Sequence, residues 1–332
     1  MKRALITGAS GFVGANLARR LLRDGHEVWL ILRENYQSWR LEEVVSACHI
    51  VTGDITDRDA VSRAFGKARP EWVFHLAAFG AYSSQTGFEQ MSAVNLLGAA
   101  VLLDAAVASG VECFVQSGSS SEYGYKPAAS REQDVLQPNS HYAITKAAAT
   151  HYCQLTACKS GMKAVTLRLY SIYGPWEEPM RLIPSLLIHC LSGALPALAS
   201  PLTARDFVYV DDAVDAFIRV ASANAIPLGA VYNVASGAQT TLGQLVSEAR
   251  EIFGITTEPS WETMPARAWD TDIWVGDATA LHKATEWRPE TNLREGLFHT
   301  THWLRSNPRW LSYYESRILG ETKSSIPAAS EN

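Results

Sequence analysis

The feature that most constrains this chain is Thr7-Gly8-Ala9-Ser10-Gly11-Phe12-Val13-Gly14, which lies where a first apolar strand turns into a first helix. Gly8 permits a tight turn, Gly11 lets backbone approach a pyrophosphate, and Gly14 lets the helix pack on the strand. The helix N-terminus then meets phosphate with free N–H groups and a partial positive charge. Gly8, Ser10, Gly11, Phe12, Val13 and Gly14 are therefore candidate dinucleotide ligands. Their spacing is G-x-x-G-x-x-G, not the G-x-G-x-x-G of many dehydrogenases.

Downstream, short apolar runs alternate with helical patterns. Strands are predicted at 4–7, 28–32, 49–52, 72–76, 113–117 and 164–169, with helices at 12–23, 60–68, 93–109 and 142–158. That alternation implies an α/β fold, a Rossmann-type doubly wound parallel sheet covered on both faces. After about residue 170 prolines punctuate irregular stretches. A helix near 213–223, a strand at 231–234 and a helix near 242–253 suggest a smaller C-terminal α/β substrate-binding lobe interleaved with the first. The expected division is 1–170 for dinucleotide binding, 171–322 for the lobe and 323–332 as a loose tail.

With 332 residues, 47% of them apolar, the chain can bury a large core. A net charge of −5 gives no basic field to attract nucleic acid. No apolar run reads as a membrane span, and the early glycines break any signal-peptide pattern. Five scattered cysteines without paired spacing fit reduced thiols in a cytoplasmic protein, and no cluster has metal-ligand spacing.

Two strand ends carry further information. Arg33 follows the second strand, where an acid usually holds the ribose 2′-OH of NAD. An arginine there suits a 2′-phosphate, so NADP(H) is favoured, with Glu34 a competing signal and NAD(H) the alternative. Asp54, after the third strand, could bond adenine or cap the next helix. Tyr142 and Lys146 lie four apart on a helix and project together; a nearby ammonium is expected to lower the phenol pKa for proton exchange with a sugar oxygen. The serines ending the fifth strand could donate to that same oxygen.

These pieces, in order, resemble the extended short-chain dehydrogenase/reductase family of nucleotide-sugar epimerases, 4,6-dehydratases and 4-ketoreductases. Gly8–Gly14, Gly53-Asp54, His75-Leu76-Ala77-Ala78, Asn95, Ser119, Tyr142-x-x-x-Lys146, Tyr173-Gly174-Pro175, Arg205–Asp212, Tyr232–Gly237 and Arg267 carry the likeness over about residues 3–305. The resemblance implies a catalytic triad of Ser119, Tyr142 and Lys146; a one-residue gap would select Ser120 instead. It adds Asp54, Ile55, Leu76, Ala77, Ala78 and Asn95 to the cofactor site and leaves His75 a structural role. It makes Arg205 and Arg267 clamps on a substrate diphosphate, with Arg181 and Ser120 as further substrate contacts. It implies a homodimer paired through the helices near 93–109 and 142–158. Ser171 departs from the family's usual asparagine.

The favoured expectation is NADPH-dependent reduction of an NDP-4-keto-6-deoxyhexose, on the strength of Arg33. A 4-epimerase or a 4,6-dehydratase is the alternative. The resemblance implies that a dehydratase would carry an acid two residues before the tyrosine of Tyr-Gly, here Tyr123; that place is Ser121 without a gap and Glu122 with one. A non-catalytic dinucleotide sensor is a reading of another class, opposed by the presence of both Tyr142 and Lys146. A reductase of small aromatic ketones is opposed by Arg205 and Arg267.

Overall fold

The computed structural model describes residues 1–82, 85–264 and 271–320. In chain order the dinucleotide half holds β1 (Arg3–Thr7), α1 (Phe12–Arg23), β2 (Glu27–Leu32), β3 (His49–Thr52), α2 (Arg58–Ala68), β4 (Trp72–His75), α3 (Phe88–Ser92), α4 (Gly98–Ala108), β5 (Cys113–Ser119), α5 (His141–Ser160) and β6 (Lys163–Leu169). Then come β7 (Ser171–Tyr173), α6 (Leu182–Leu191), β8 (Ala204–Tyr209), α7 (Val210–Ser222), β9 (Val231–Val234), β10 (Gln239–Thr241), α8 (Leu242–Phe253), α9 (Thr279–Thr285), α10 (Leu293–Ser306) and α11 (Pro308–Leu319).

Seven strands form one parallel sheet in the order β3-β2-β1-β4-β5-β6-β9. Alternation along β1 shows why both faces need cover. Leu5 points into a core with Val61, Phe65, Leu102 and Phe114, while Ile6 points into another with Leu17, Leu21, Ala213 and Phe217. Helices α2, α4 and α5 supply the first core and α1 and α7 the second, so the strands are buried on both sides. Strand order reverses between β1 and β4, opening a crevice at the carboxyl edge. The register there sets Thr7 opposite both Ile31 and His75.

The late segments build a second, three-stranded sheet, β10-β8-β7. Around it a third core gathers Leu186, Leu187, Leu245, Val246, Leu297, Leu304 and Tyr314. The proline-rich stretch read as irregular contains α6; Pro184 sits in its first turn, where a missing N–H costs nothing. α7 starts at Val210, earlier than expected, with Asp211 and Asp212 favourably placed in its first turn.

Two expectations need correction. The helix expected from residue 93 begins at Phe88 and contains a π-helical turn at Ala93–Leu97. The continuous segment Phe88–Ala108, 21 residues long, is also apolar enough to cross a membrane by length and composition, where no such run was expected. It packs against α2 and α5, and Ala99, Leu102, Leu103 and Ala106 are fully enclosed, as in the core helix of a globular domain.

Candidate active site

The glycine turn sits at the carboxyl edge beside the switch point. Gly8 adopts φ +75, and a Cβ there would lie 2.4 Å from Ala77 N and 2.5 Å from the Leu76 carbonyl carbon. On Gly14 a Cβ would lie 2.3 Å from Gly8 O. Both positions therefore exclude side chains because backbone fills the space. Leu76 and Ala77 wall the turn, and Ala78 follows, exposed. Gly11 caps α1 without a side chain, and no acid stands in the helix's first turn. Ser10, Phe12 and Val13, all half-buried, complete an uncapped, electropositive helix start, so these residues fit a dinucleotide diphosphate.

Around that turn the other cofactor candidates divide. Arg33 and Glu34 are exposed just past β2. Asp54 accepts from Thr56 N and Thr56 Oγ1, both at 2.8 Å, which builds the turn into α2. Ile55 is buried against Gly98 of α4. Asn95 lies in the π-helical turn; its amide donates to Phe79 O at 2.8 Å and Thr145 Oγ1 at 3.0 Å, and its oxygen accepts from Phe79 N at 2.8 Å. It thus ties the segment after β4 to α5, next to Lys146. His75 is buried 2.7 Å from Thr7 Oγ1; burial and the Lys146 charge push it down to about 3, which keeps it neutral.

Ser119, Tyr142 and Lys146 converge from two elements. Ser119 ends β5, and its Oγ accepts from Ser121 N at 3.1 Å, leaving its own hydrogen to donate. Ser140 caps α5 by accepting from Ala143 N at 3.2 Å, so Tyr142 and Lys146 fall one turn apart at the helix start. Lys146 is buried and donates to Ser117 O. Burial lowers its pKa to about 8 against the opposing charge of Glu122. Tyr142 departs from expectation: burial pushes its phenol up to about 12, with the Ser119 hydroxyl pulling the other way. The ammonium expected to lower it is engaged by the Ser117 carbonyl.

Glu122 is fully buried. It accepts from Ser119 N at 2.8 Å, Thr150 Oγ1 at 3.0 Å and Arg168 Nε at 2.8 Å. This ion pair fixes the turn that presents Ser119, with Arg168 also donating to Tyr123 Oη at 2.9 Å.

On the substrate side, Ser120 lines a small pocket with Ser130, Tyr170 and Trp274. Arg205 lies over Trp274 of that pocket, its guanidinium carbon 5.7 Å from the ring centroid. Buried Asp206 steadies that region by accepting from Ser236 N at 2.7 Å and from Gly237 N and Gly276 N, both at 3.1 Å. Arg181 donates to Ala81 O at 2.9 Å and lies over Tyr82; the fields of both act on the Tyr142 phenol. Arg267 lies outside the described residues, as does the 323–332 tail.

Sequence reasoning missed Arg40, Tyr170 and Glu177. Arg40 is buried, donating to Trp176 O at 2.7 Å, Ser10 O at 3.4 Å and Glu178 Oε2 at 2.9 Å. Its partners are distant in sequence, so no local pattern marks it. Among the described residues, the buried Tyr170 hydroxyl and Oε2 of Glu177 meet no hydrogen-bond partner within bonding geometry. The only signal for Glu177 is an acidic pair, Glu177-Glu178, directly after Tyr173-Gly174-Pro175-Trp176.

Comparison with known proteins follows the same lines. The profile of the NAD-dependent epimerase/dehydratase family matches residues 4–235. UDP-glucose 4-epimerase of Mycolicibacterium smegmatis is 30% identical over 327 residues, covering 92% of this chain and 99% of its own. dTDP-D-glucose 4,6-dehydratase of Mus musculus is 28% identical over 326 residues, covering 92% of this chain and 89% of its own. The structure of UDP-glucose 4-epimerase from Thermus thermophilus in complex with NAD superposes with a TM-score of 0.80 at 29% identity, covering 91% of this chain and 99% of the other.

Proposed function

The chain belongs to the NAD-dependent epimerase/dehydratase family, and on that premise we propose that it inverts the C4 hydroxyl of a nucleotide-diphosphate sugar. This replaces reduction of a 4-keto sugar as the favoured reading. The observation that carries it over dehydration is the fate of Glu122. Its carboxylate is consumed by Arg168, Thr150 and the Ser119 N–H, and Ser121 has no carboxylate, so neither register supplies a free acid there. The likeness to a UDP-glucose 4-epimerase over nearly the whole of both chains supports the choice of reaction.

A bound nicotinamide dinucleotide supplies the hydride acceptor and donor. The chain's residues do the rest. Tyr142 would take the C4 hydroxyl proton at its Oη from the phenolate form, which the positive charge of an oxidised nicotinamide would favour against the high phenol pKa that burial imposes, and would return it to the inverted alkoxide. Ser119 donates a hydrogen bond to the same oxygen as charge develops there. Lys146 brings a buried positive charge to the start of α5. Arg205, with Arg181 and Arg267, holds the diphosphate, so remote binding energy orients the sugar. Exposed apolar residues on the outer faces of α4 and α5, including Val107, Ile144 and Leu155, support pairing of two copies. We assign residues 1–170 to the dinucleotide half and 171–322 to the interleaved lobe, whose α7 and β9 pack into the first half's core and sheet.

The test offers UDP-glucose and UDP-galactose and follows both by NMR alongside dinucleotide absorbance. Interconversion without net dinucleotide consumption is expected. Tyr142→Phe should slow it by about 10²-fold or more while keeping dinucleotide affinity. A 4-keto-6-deoxy product would mean dehydration instead.

One observation favours a second reading. Arg33 is exposed where β2 ends, in a position that suits the 2′-phosphate of NADPH. Steady NADPH consumption with an NDP-4-keto-6-deoxyhexose, and no epimerisation, would establish the reductase.

A further inference from the structure

Strands β5 and β6 end side by side, with Ser119 of β5 paired to Leu169 of β6. The residues that follow, Ser120 and Tyr170, therefore leave the carboxyl edge together, and both line one cavity with Ser130, Trp274 and Val275. α5 is pinned to the same edge, since Lys146 donates to Ser117 O and Thr150 Oγ1 to Glu122 at 3.0 Å. The cavity thus begins one residue beyond Ser119, at the edge that carries Tyr142. It measures about 10 Å³. That is room for a single water molecule or one hydroxyl oxygen, and too little for a sugar ring.

The tip of the Tyr170 ring is fixed at the wall of that cavity. A Cβ on Gly276 would lie 2.5 Å from Tyr170 Cζ, the carbon that carries the hydroxyl. Gly276 in turn bridges Ser130, whose N–H donates to Val275 O at 3.0 Å. The phenol oxygen therefore sits where two lining residues, Ser130 and Val275, are joined. Tyr170 is 7% exposed, and its Oη meets no hydrogen-bond partner within bonding geometry. A buried hydroxyl in that state is costly, and a ligand that pairs with it relieves the cost. Burial pushes the phenol pKa far above its ordinary value, with the nearby Ser130 hydroxyl pulling the other way, so the group keeps its proton and can donate.

We propose that this cavity is a subsite for one hydroxyl group of the substrate hexose, and that Tyr170 is the specificity-determining residue whose Oη donates to it. The proposal rests on the nucleotide-sugar reading above. With the C4 oxygen held between Ser119 and Tyr142, the groups that lie next to it are the substituents of the neighbouring ring carbons, the C3 hydroxyl and the C5 hydroxymethyl. Either one supplies a single oxygen of the size the cavity takes. A sugar that lacks that oxygen leaves the buried phenol unpaired, which is how a site built around a buried hydroxyl rejects an analogue. The Gly276 contact holds the ring in place before substrate arrives, so little ordering remains to be done on binding.

The experiment measures binding to dinucleotide-saturated protein by calorimetry, for wild type and Tyr170→Phe. The ligands are UDP-glucose, UDP-xylose, which has no C6, and UDP-3-deoxyglucose. Wild type is expected to bind UDP-glucose more tightly than one of the two analogues, and the disfavoured analogue identifies the hydroxyl. Tyr170→Phe should shrink that preference by roughly threefold to tenfold, the scale of one hydrogen bond, by weakening UDP-glucose and not the analogue. The Tm of the free variant should stay level or rise, because the oxygen removed was unpaired. A tyrosine with a merely structural role would show the reverse, a lower Tm with the preference intact. An unchanged preference in Tyr170→Phe, or wild-type protein that binds all three sugars equally, overturns the proposal alone. Failure of every UDP-sugar to bind would overturn the nucleotide-sugar reading and the proposal with it. The expected preference without turnover would count against the epimerase reading only.

Discussion

The glycine turn at Gly8–Gly14 and the segment at Gly174–Arg181 are both reached by Arg40, through Ser10 O and Trp176 O, but they are built in opposite ways. The turn is made of backbone against backbone. Gly8 abuts Leu76 and Ala77, and Gly14 abuts Gly8. The segment is made of backbone caught by distant side chains, Asn16, Arg40 and Tyr314. A site of the first kind tolerates no added atom and advertises itself through glycines. A site of the second kind tolerates residue changes within it but depends on partners far away in sequence.

The sharpest way to break that contrast is to add one methyl to the turn. Gly14→Ala would place a Cβ 2.3 Å from Gly8 O, a contact no flexible group can relieve. We expect dinucleotide binding to be lost, and a stability loss of about 1–3 kcal/mol or more, the usual scale of overpacking. Thermal unfolding and dinucleotide titration would measure both. Retained affinity would show that the turn adapts and that the contrast is false.

Removing a distant partner should act more gently. Arg40→Met strips donors from Trp176 O and Glu178, at a cost of about 1–3 kcal/mol for the groups left unmet. Dinucleotide binding should weaken only slightly, because the one bond to Ser10 O is long, at 3.4 Å. Thermal stability should carry most of the effect, because Trp176 O and Glu178 lose their donor. Arg40→Lys should not rescue it, since an ammonium cannot reproduce the guanidinium fork. A dinucleotide loss as large as that of Gly14→Ala would show that the two regions work as one.

The difference in visibility follows from the same physics. Strand and helix periods exposed most of the dinucleotide half, and α1, β3 and β9 match their expected limits. The glycines, Tyr142 and Lys146 were legible because each depends on neighbours in sequence. Arg40, Tyr170 and Glu177 were not, because burial and missing partners are properties of the folded chain. The lobe's short strands β7 and β10, three residues each, are too brief to show a period. The Tyr142 phenol was misjudged because spacing predicts proximity to Lys146 but not what the ammonium bonds or how dry the phenol is.

The smallest expected effect is on stability against pH, where Glu177 of the pinned segment and Lys146 of α5 should pull in opposite directions. Glu177 is raised from the ordinary 4.5 to about 8. Between those values the native state holds a proton the unfolded chain has lost, so its contribution falls as pH rises through that window. Lys146 is lowered from 10.5 to about 8. From about 8 upward the unfolded chain holds the extra proton, and its contribution grows with pH until about 10.5. Glu177→Gln should flatten the acid side of the denaturation profile, and Lys146→Met the alkaline side. A profile unaltered by either substitution would remove the contrast in charge between these two groups.

The buried Glu122–Arg168 pair limits the routes by which this chain can change over generations. Losing either partner alone strands a charge in the interior, a penalty of about 3–5 kcal/mol that can exhaust a domain's margin. Losing both together can be nearly neutral. Freeing the Glu122 carboxylate for new chemistry therefore requires paired mutations at positions 46 residues apart, or a prior surplus of stability. The pair acts as an epistatic lock on the turn that presents Ser119, and drift within the lineage should leave both positions fixed or move them as a unit.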